Sequence, residues 1–344
     1  MSKKRRNILI VPIFIPNQGC PHICVFCEQE KITAQVKGTL TEAHVTGVLT
    51  RAMASEHFET CERREVAFYG GTFTRLPRRY MKTLLRCVAP HIQTGRFQTV
   101  RISTRPDALD EDRLDILRTH HVSIVELGAQ SMDNRVLDLS KRGHSAEDTI
   151  RAVERLKGAG FKVGIQLMPG LPGDSREIFS STVSRVIRLN PDMVRLYPTV
   201  VIEKTELARW YRRGVYRPLS LDAAVTWCQD ACERLERKGI PVIRIGLMSS
   251  PSLLEEGQIL AGPWHTAFGF LVRSRMHHRS IAADLPERRS CTRLRIRAPE
   301  PEIPLVRGYR NRGIAWIEES TGASVVGVVA DNAVPRGHVK VEEA

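Results

Sequence analysis

Short apolar runs alternate along the chain with longer stretches in which apolar residues recur every three to four positions. The apolar runs predict seven β-strands, at residues 8–15, 66–69, 99–103, 123–127, 162–168, 193–197 and 242–245. The stretches with the longer period predict amphipathic helices, for example at 41–59, 80–89, 146–159, 176–189 and 221–238. Strands that alternate with helices at this spacing form a parallel sheet with right-handed crossovers, so the pattern predicts an α/β fold.

Five of the predicted strands are followed by glycine-rich or polar segments. A loop with three cysteines follows the first strand, and Gly70-Gly71-Thr72 follows the second. Functional residues of (βα) barrels lie at the carboxyl ends of the strands. We therefore expect residues 1–250 to form a partial (βα) TIM-like barrel, with an open doubly wound sheet as the alternative.

Composition places the chain among ordinary globular proteins. Of its 344 residues, 42% are hydrophobic and 26% are charged, and chains of this length bury enough surface to fold without disulfides or metals. No apolar run in the sequence approaches the roughly 20 residues that a membrane-spanning helix needs. These features exclude an integral membrane protein and a disulfide-stabilised miniprotein.

The first residues resemble a lipoprotein signal, because basic residues 3–6 precede an apolar stretch and the dipeptide Gly19-Cys20. Pro12 and Pro16 interrupt that stretch, and polar residues stand where small or apolar ones should precede a cleavage site. A short buried strand that ends in a turn fits the segment better. We therefore expect a cytoplasmic protein.

The chain is basic, with 52 lysines and arginines, 38 acidic residues and a formal net charge of +14. This excess favours a polyanionic partner such as RNA, DNA, an acidic membrane surface or a phosphorylated substrate. Half of the excess lies in residues 273–312, which contain eleven arginines and four acidic residues.

Within that basic segment, Arg293, Arg295 and Arg297 alternate with apolar residues, which predicts a strand with arginines along one face. Such a face either binds RNA or is simply solvated. We expect residues 251–344 to form a small basic α+β extension that acts as a lid or as an RNA-docking region.

Three of the eight cysteines, Cys20, Cys24 and Cys27, lie close together in sequence. Disulfides within so short a segment are sterically awkward, and a reducing cytosol would keep the thiols free. A structural zinc site needs four ligands, and no fourth cysteine or suitably spaced histidine pair follows nearby. Three thiolates suit a [4Fe–4S] cluster that leaves one iron open for a substrate or cofactor. The other five cysteines are expected to be buried and inert, including the i, i+4 pair Cys228 and Cys232.

The Cys-x3-Cys-x2-Cys motif, with Phe26 before its last cysteine, resembles the signature of the radical SAM superfamily. From residue 8 to residue 247 the chain also resembles the Elp3-like group of that superfamily. The segments that carry this resemblance are Phe68-Tyr-Gly-Gly-Thr72, Ser103-Thr-Arg-Pro-Asp107, Val125-Glu-Leu-Gly-Ala-Gln-Ser131, Arg142-Gly-His144, Met168-Pro-Gly-Leu-Pro-Gly173 and Leu196-Tyr-Pro-Thr-Val-Val201.

The resemblance implies a radical SAM enzyme with a [4Fe–4S] cluster on Cys20, Cys24 and Cys27 and with S-adenosylmethionine as second cofactor. In this superfamily the reduced cluster cleaves S-adenosylmethionine to a 5′-deoxyadenosyl radical, which abstracts hydrogen. A ferredoxin- or flavodoxin-type donor would supply the electron.

The resemblance also implies cofactor-binding residues, although it leaves the catalytic residues unknown. These cofactor-binding residues are Gly70, Gly71, Thr72, Ser103, Gln130 and Arg142. The two glycines would let the backbone approach the methionine amino group, and Arg142 would pair with the methionine carboxylate. Ser103 and Gln130 would lie near the ribose and the carboxylate.

Glu126 stands between apolar residues of a predicted strand, so its side chain faces the barrel interior or the helix layer. A buried carboxylate needs a partner, and Arg101 and Lys162 are the candidates.

Departures from known groups bear on the substrate. Elp3 proteins carry a C-terminal acetyltransferase domain, for which too few residues follow Ser250, although residues 310–315 match the short acetyl-CoA loop pattern R-x-x-G-x-A. The oxygen-independent coproporphyrinogen oxidase group has a cysteine where this chain has Gln29 and an aspartate where it has Gln166. We expect tRNA or another RNA as the substrate. The alternatives are an anionic small molecule such as a tetrapyrrole, and a non-catalytic iron–sulfur module that binds RNA or acts as a sensor.

Overall fold

A computed structural model describes residues 8–33 and 40–344. The basic residues 3–6, on which the comparison with a lipoprotein signal depended, lie outside the described residues. The chain packs into two compact units. The first consists of Met1–Ser220 and Leu235–Trp264, and the second of Leu221–Arg234 and His265–Ala344.

The first unit is built on a seven-stranded sheet in which every neighbouring pair is parallel. The strand order is β1-β2-β3-β4-β5-β6-β8, so β1 and β8 are the edges of an open, partial barrel. A second, two-stranded sheet pairs β7 with β9. The strands are β1 Ile8–Ile15, β2 Arg63–Gly70, β3 Thr99–Thr104, β4 Val122–Gln130, β5 Lys162–Leu167, β6 Met193–Leu196, β7 Val201–Ile202, β8 Val242–Ile245 and β9 Ile259–Ala261. All seven strands expected from the apolar runs are confirmed.

Helices follow the strands of this sheet, as the alternating pattern predicts. They are α1 Gln29–Thr33, α2 Glu42–Met53, α3 His57–Thr60, α4 Arg78–Gln93, α5 Glu111–Thr119, α6 Asn134–Leu139, α7 Ala146–Gly158, α8 Arg176–Leu189, α9 Glu206–Arg212 and α10 Leu221–Arg237. Local side chains define several helix starts. Thr41 Oγ1 accepts a hydrogen bond from the His44 amide before α2, and Ser145 and Asp148 form a capping box at α7.

The second unit contains a three-stranded sheet and three helices of its own. The strands are β10 Arg293–Ala298, β11 Ser324–Ala330 and β12 Lys340–Glu343, in the order β11-β10-β12. The helices are α11 Phe268–Ile281, α12 Ile303–Arg307 and α13 Arg312–Thr321. Leu294, Ile296 and Ala298 of β10 are buried in the core of this unit. The predicted strand with alternating arginines is therefore confirmed as β10.

The two units meet in the sequence near residue 264, and Leu221–Arg234 of α10 belongs to the second unit. The sequence suggested a single boundary after residue 250. A division by packing does not test which parts fold or function separately, so the boundary at 250 stays a prediction. Within the described residues, no helix combines the length and the apolar character needed to cross a membrane.

Candidate cofactor site at the carboxyl ends of the strands

The loop with the three cysteines begins where β1 ends, and backbone hydrogen bonds shape it. The Gln18 amide donates to the Ile15 carbonyl (3.1 Å), and the Cys20 amide donates to the Asn17 carbonyl (3.2 Å). Further along, the Cys27 amide donates to the Cys24 carbonyl (3.0 Å). These short-range bonds make two successive turns that keep the three cysteines within one compact loop.

Val25 fixes the middle of the loop against two other segments. Its side chain is fully buried, its amide donates to the Ser140 carbonyl (3.3 Å), and its carbonyl accepts from the Leu207 amide (2.8 Å). The backbone between Cys24 and Cys27 is therefore held by the segments that follow β4 and β7.

The three thiols are close enough to influence one another. Cys24 is buried, whereas Cys20 and Cys27 are partly exposed. Burial raises the pKa of the Cys27 thiol well above its ordinary value, the neighbouring Cys24 and Cys20 raise it further, and Arg142 opposes them. Among residues 8–33 and 40–344, no three His, Cys, Asp or Glu side chains are already gathered as a metal-binding cluster. The support for a metal here is the donor chemistry of three neighbouring thiols beside a cation.

The Gly-Gly turn packs directly on the backbone of the cysteine loop. Gly70 ends β2 opposite Ile15 of β1, with a φ of +108° that favours glycine. A Cβ at Gly71 would overlap the carbonyl oxygens of Gln18 and Ile15. Only glycine fits between these two strand ends.

Thr72 extends the same contact between the turn and the loop. Its amide donates to the Gln18 carbonyl (2.8 Å), and its Oγ1 lies 3.3 Å from the Sγ of Cys20. The structure thus brings Cys20 and Gly70-Gly71-Thr72 together, although they are far apart in sequence.

Gln29 contacts the site, although it was not predicted as a site residue. Its Nε2 donates to the Gly70 carbonyl, and its Oε1 accepts from the Asn17 amide at 2.5 Å. Asn17 Oδ1 in turn lies 3.7 Å from the Sγ of Cys27. The sequence marked Gln29 only as a departure from another group. Its polar side chain two residues after the third cysteine was the available signal.

Arg142 connects the cysteine loop to the end of β4. Its side chain is 7% exposed, with Nη1 3.0 Å from the Cys24 Sγ and Nη2 2.7 Å from the Gly128 carbonyl. The third nitrogen, Nε, is buried and has no hydrogen-bond partner among the described residues. A buried guanidinium with a free N–H suits an anionic group such as a carboxylate.

Gln130 and Ser103 lie at the ends of neighbouring strands. Gln130 has a φ of +68°, a strained backbone for a residue other than glycine, and its Oε1 accepts from Gln166 Nε2 (3.0 Å). A Cβ at Gly128 would lie 2.9 Å from the Gln130 Nε2 and 3.5 Å from the Arg142 Nη2, so these two side chains are neighbours. Ser103 Oγ donates to the Phe68 carbonyl at 3.5 Å, two residues before Gly70.

Charged side chains and two histidines also lie in or near the cysteine loop. Arg105 Nη1 lies 3.4 Å from His22 Nε2 and pairs through Nε with Asp107 (2.9 Å). Burial, with the positive charges of Arg142 and Arg105 nearby, lowers the pKa of His144 to about 3. His144 is therefore neutral at physiological pH, and the positive charge beside the loop comes from the arginines.

An ion-pair network occupies the inner face of the sheet behind this site. Glu126 Oε1 accepts from Arg101 Nη1 (2.7 Å) and from the Tyr69 hydroxyl (2.8 Å), and Glu126 Oε2 lies 2.6 Å from Arg195 Nε. Arg101 is thus the partner expected for Glu126. The other candidate, Lys162, is exposed at the start of β5. Ser103 lies two residues after Arg101 and so faces the same side of β3.

Arg195 was not singled out from the sequence, although a lone arginine between apolar Val194 and Leu196 was the signal for it. Its Nη2 donates to the Tyr69 hydroxyl (2.6 Å) and its Nη1 to the Tyr197 hydroxyl (3.0 Å). Burial favours the neutral form of Arg195, but Tyr197, Glu126 and Tyr69 outweigh it and raise its pKa. The interior of the barrel is therefore polar and charged.

Two family models match the chain. The model described as the radical SAM superfamily matches residues 14–186, half of the chain. The model described as the radical SAM C-terminal domain matches residues 191–278. The first match contains the cysteine loop and all the cofactor-binding residues expected from the sequence.

Three relatives similar in sequence to this chain are named for different functions or for none. The alignment with a tRNA uridine(34) acetyltransferase of Methanocaldococcus infernus has 31% identity over 256 aligned positions, and it covers 64% of this chain and 48% of that protein. The chain thus spans about half the length of that relative. The alignment with an uncharacterised protein of Methanocaldococcus jannaschii has 28% identity over 242 aligned positions, and it covers 68% of this chain and 74% of that protein. A heme chaperone of Lactococcus lactis is 28% identical over 221 residues, 64% of this chain and 57% of that protein.

Among solved structures, the archaeal Elp3 of Methanocaldococcus infernus matches with a TM-score of 0.63. The two chains are 24% identical, and the match covers 80% of this chain and 64% of that one. At this level of identity the likeness concerns the fold, and it agrees with the partial barrel described above.

Proposed function

The chain belongs to the radical SAM superfamily and is an enzyme of that superfamily, and from this premise we propose which cofactors, residues and substrate it uses. Cys20, Cys24 and Cys27 hold a [4Fe–4S] cluster, and S-adenosylmethionine binds beside it. Together these cofactors supply the reductive cleavage of S-adenosylmethionine to a 5′-deoxyadenosyl radical for hydrogen abstraction. A ferredoxin- or flavodoxin-type donor provides the electron, in the cytoplasm, where thiols remain reduced.

The observation that carries this proposal is the position of Arg142 between Cys24 and the end of β4. Its free Nε–H is buried next to the loop, where it can donate to the methionine carboxylate of the cofactor. Gln130, which neighbours Arg142, and Ser103 on the inner face of β3 complete the polar surroundings. These contacts orient the cofactor through the protein's own hydrogen-bond donors.

The Gly70-Gly71-Thr72 turn has a matching role in the proposal. Gln29 Nε2 already donates to the Gly70 carbonyl, so the Gly71 carbonyl is the acceptor in this turn for the ammonium group of the cofactor. Thr72 touches Cys20 and keeps the turn in contact with the cysteine loop. The turn therefore binds the amino end of the cofactor while Arg142 binds its carboxylate end.

We propose tRNA, or RNA of similar form, as the substrate. Two features support it. The relative with 31% identity is named a tRNA uridine(34) acetyltransferase, and the chain has a net charge of +14, half of it in one basic segment. The acetyl transfer in that relative's name is not extended to this chain, which spans about half of the relative's length.

Anaerobic reconstitution tests the cofactor part of the proposal. The protein is loaded with iron and sulfide, reduced with dithionite and mixed with S-adenosylmethionine, and 5′-deoxyadenosine is measured by mass spectrometry. We expect 5′-deoxyadenosine from the wild type and from Cys87→Ala, but not from Cys24→Ala. A cluster that forms without cleavage, even with tRNA present, would contradict the proposed chemistry.

Binding measurements test the substrate. Filter binding of total tRNA across a salt series should give an affinity that falls steeply with salt, because each phosphate contact releases counterions. A weak affinity with a flat dependence on salt would argue against RNA.

An anionic small molecule such as a tetrapyrrole is the second candidate substrate. It is favoured by the relative named as a heme chaperone and by two arginines in the barrel, the buried Arg101 and the partly buried Arg195. Absorbance titration with hemin and with coproporphyrin distinguishes the two candidates. Tight tetrapyrrole binding together with no tRNA binding would favour the small molecule.

A further inference from the structure

The sheet of the second unit has one face in the core and one face in solvent. β10 is its central strand, and Leu294, Ile296 and Ala298 point into the core. Arg293, Arg295 and Arg297 alternate with them and therefore lie on the opposite face, where the first two are exposed. Alternate residues of a strand are about 6.7 Å apart, so the three arginines form an evenly spaced row.

The strands on either side add little bulk and little negative charge to this face. On β11, Ser324, Gly327 and Val329 stand opposite the three arginines. A Cβ at Gly327 would have no heavy atom within 4 Å, so the surface beside Arg295 is open. On β12, Glu342 and Lys340 stand opposite Arg295 and Arg297.

Of the two acidic residues of β12, Glu343 stands opposite Leu294, and Glu342 stands opposite Arg295. Glu342 pairs with Arg297 Nε (2.8 Å) and with Lys340 Nζ (3.3 Å). Over residues 8–33 and 40–344, neither Arg293 nor Arg295 has an acidic side chain within ion-pair distance. Their charges are therefore available to an external anion.

Other arginines of the basic segment are engaged within the unit. Arg275 pairs with Asp222 (2.5 Å), and Arg279 pairs with Glu233 (3.2 Å). Arg288 and Arg289, by contrast, are exposed in the turn that precedes β10, beside Gly322 at the approach to β11. The unpaired positive charge thus extends from this turn along β10.

We propose that this arginine face, composed of Arg288, Arg289, Arg293, Arg295, Arg297 and Lys340, binds the phosphate backbone of the RNA substrate. The proposal rests on the proposed function, since it presumes that the substrate is RNA. Residues 273–312 contain arginine but no lysine, and the planar guanidinium matches phosphate with two parallel hydrogen bonds. No aromatic side chain occurs in β10, β11 or β12, so this face recognises the backbone rather than stacked bases. An acidic lipid surface is the alternative polyanionic partner. It is disfavoured because Val326 is the only exposed large apolar side chain of β10, β11 and β12 that could contact lipid.

Paired substitutions test the arginine face in the full-length, cluster-loaded protein. Arg293→Gln with Arg295→Gln removes two unpaired charges without breaking an ion pair within the unit. We expect the Kd for tRNA to rise about tenfold and the salt slope to become shallower by about 1.5 to 2. Arg213→Gln with Arg237→Gln removes two exposed arginines of the first unit and is expected to leave both quantities unchanged.

Glu342→Gln provides a change of opposite sign on the same face. It releases Arg297 and Lys340 from their shared acid, so tRNA binding should tighten by about two- to threefold and the salt slope should steepen. Formation of 5′-deoxyadenosine without RNA should be the same in all variants, because none of these residues belongs to the cofactor site. Circular dichroism melts verify that each variant is folded.

The outcomes separate this inference from the proposed function. If the double variant binds tRNA as tightly as the wild type does, the arginine face is wrong while an RNA substrate remains possible. If the wild type does not bind tRNA at all, the proposed substrate fails, and the face loses its basis. Binding to vesicles of phosphatidylserine and phosphatidylcholine that the double variant loses, without tRNA binding, would assign the face to a membrane and overturn the proposal.

Discussion

Arg142 joins two segments of the cofactor site that lie 118 residues apart in the sequence. We predict that Arg142→Gln lowers 5′-deoxyadenosine formation at least about tenfold, because a hydrogen bond to a charged group contributes about 1.5–3 kcal/mol. The iron content after reconstitution should stay near that of the wild type, since all three cysteines remain. Mass spectrometry and iron analysis measure the two quantities.

Arg135→Gln is the matched control for that substitution. Arg135 is exposed on α6, a few residues before Arg142, and should tolerate the same change. Unchanged cleavage in Arg142→Gln would show that this arginine is only a structural link between the loop and β4.

Asp174 adds a pH dependence to the stability of the first unit. Burial, reinforced by Asp133, raises its pKa to about 7 although the amides of Gly170 and Ser175 donate to it. An aspartate in an unfolded chain has a pKa of about 3.9. The folded protein therefore holds this proton more tightly than the unfolded chain, and the contribution to stability is full below pH ~4 and is lost as the pH rises through 7.

We predict how this carboxyl changes the stability of the metal-free protein. Relative to Asp174→Asn, the free energy of unfolding of the wild type should fall by about 1–2 kcal/mol between pH 5 and pH 8, after allowance for partial exposure. Urea denaturation of both proteins at the two pH values measures this. Parallel changes in the two proteins would refute the raised pKa.

The Gly-Gly turn at the end of β2 is the element most sensitive to added volume. A Cβ at Gly71 would overlap two backbone oxygens, which cannot rotate away as a side chain could. We predict that Gly71→Ala costs about 2–3 kcal/mol of stability and also lowers cluster content, because the cysteine loop must shift. Urea denaturation and iron analysis measure these effects.

Gly47→Ala is the control for replacing a glycine with alanine where the added methyl group has room. Gly47 lies inside α2, and the nearest atom to its added Cβ would be the Arg51 Nη1 at 3.5 Å. This change should raise stability by about 0.5–1 kcal/mol, since alanine favours helix more than glycine does. A loss of stability at Gly71 no larger than the change at Gly47 would contradict the tight packing of the turn.

The strands of the barrel are coupled through Glu126, which contacts side chains of β2, β3 and β6. We predict that Glu126→Gln costs about 3 kcal/mol of stability, because the buried Arg101 and the partly buried Arg195 would keep their charges with less compensation. Glu154→Gln, on the exposed side of α7, should change stability by less than about 0.5 kcal/mol. Equal values for the two variants, measured by urea denaturation, would mean that the interior network contributes little.

Element boundaries show where local sequence was sufficient and where it was not. The predicted strands 8–15 and 242–245 and the predicted helix 176–189 have the observed bounds. The predicted helix 41–59 is divided into α2 and α3. The helix predicted at 146–159 ends one residue earlier, at Gly158, and Gly160 adopts the positive φ of +81°. Two glycines lie near the end of α7, and the period of the apolar residues does not determine at which of them the helix ends.

At the scale of the whole molecule, the second unit includes part of a helix that precedes it in sequence. Leu221–Arg234 of α10 belongs to this unit, and its Val225, Cys228 and Cys232 are buried. Arg275 of α11 donates to Thr226 of α10 at 2.8 Å. As packed, the unit thus consists of this part of α10 as well as the residues after 264.

We predict that a fragment of residues 221–344 unfolds cooperatively, whereas a fragment of residues 265–344 does not. The shorter fragment lacks the helix that buries part of the apolar surface of the unit. Near-ultraviolet circular dichroism during thermal unfolding compares the two. A cooperative transition in the shorter fragment would show that α10 is dispensable for this unit.

The sequence by itself determined the strand–helix alternation, the family signature and the arginine row of β10. Each of these is local, because the period of apolar residues and the spacing of three cysteines can be read within a few turns of chain. Tertiary structure alone decided that Arg142 meets Cys24, that Gln29 meets Gly70 and that Arg195 joins Glu126. It also decided which arginines pair with acids and which stay free. These contacts depend on the order and register of strands distant in sequence, and a one-dimensional pattern does not contain those distances.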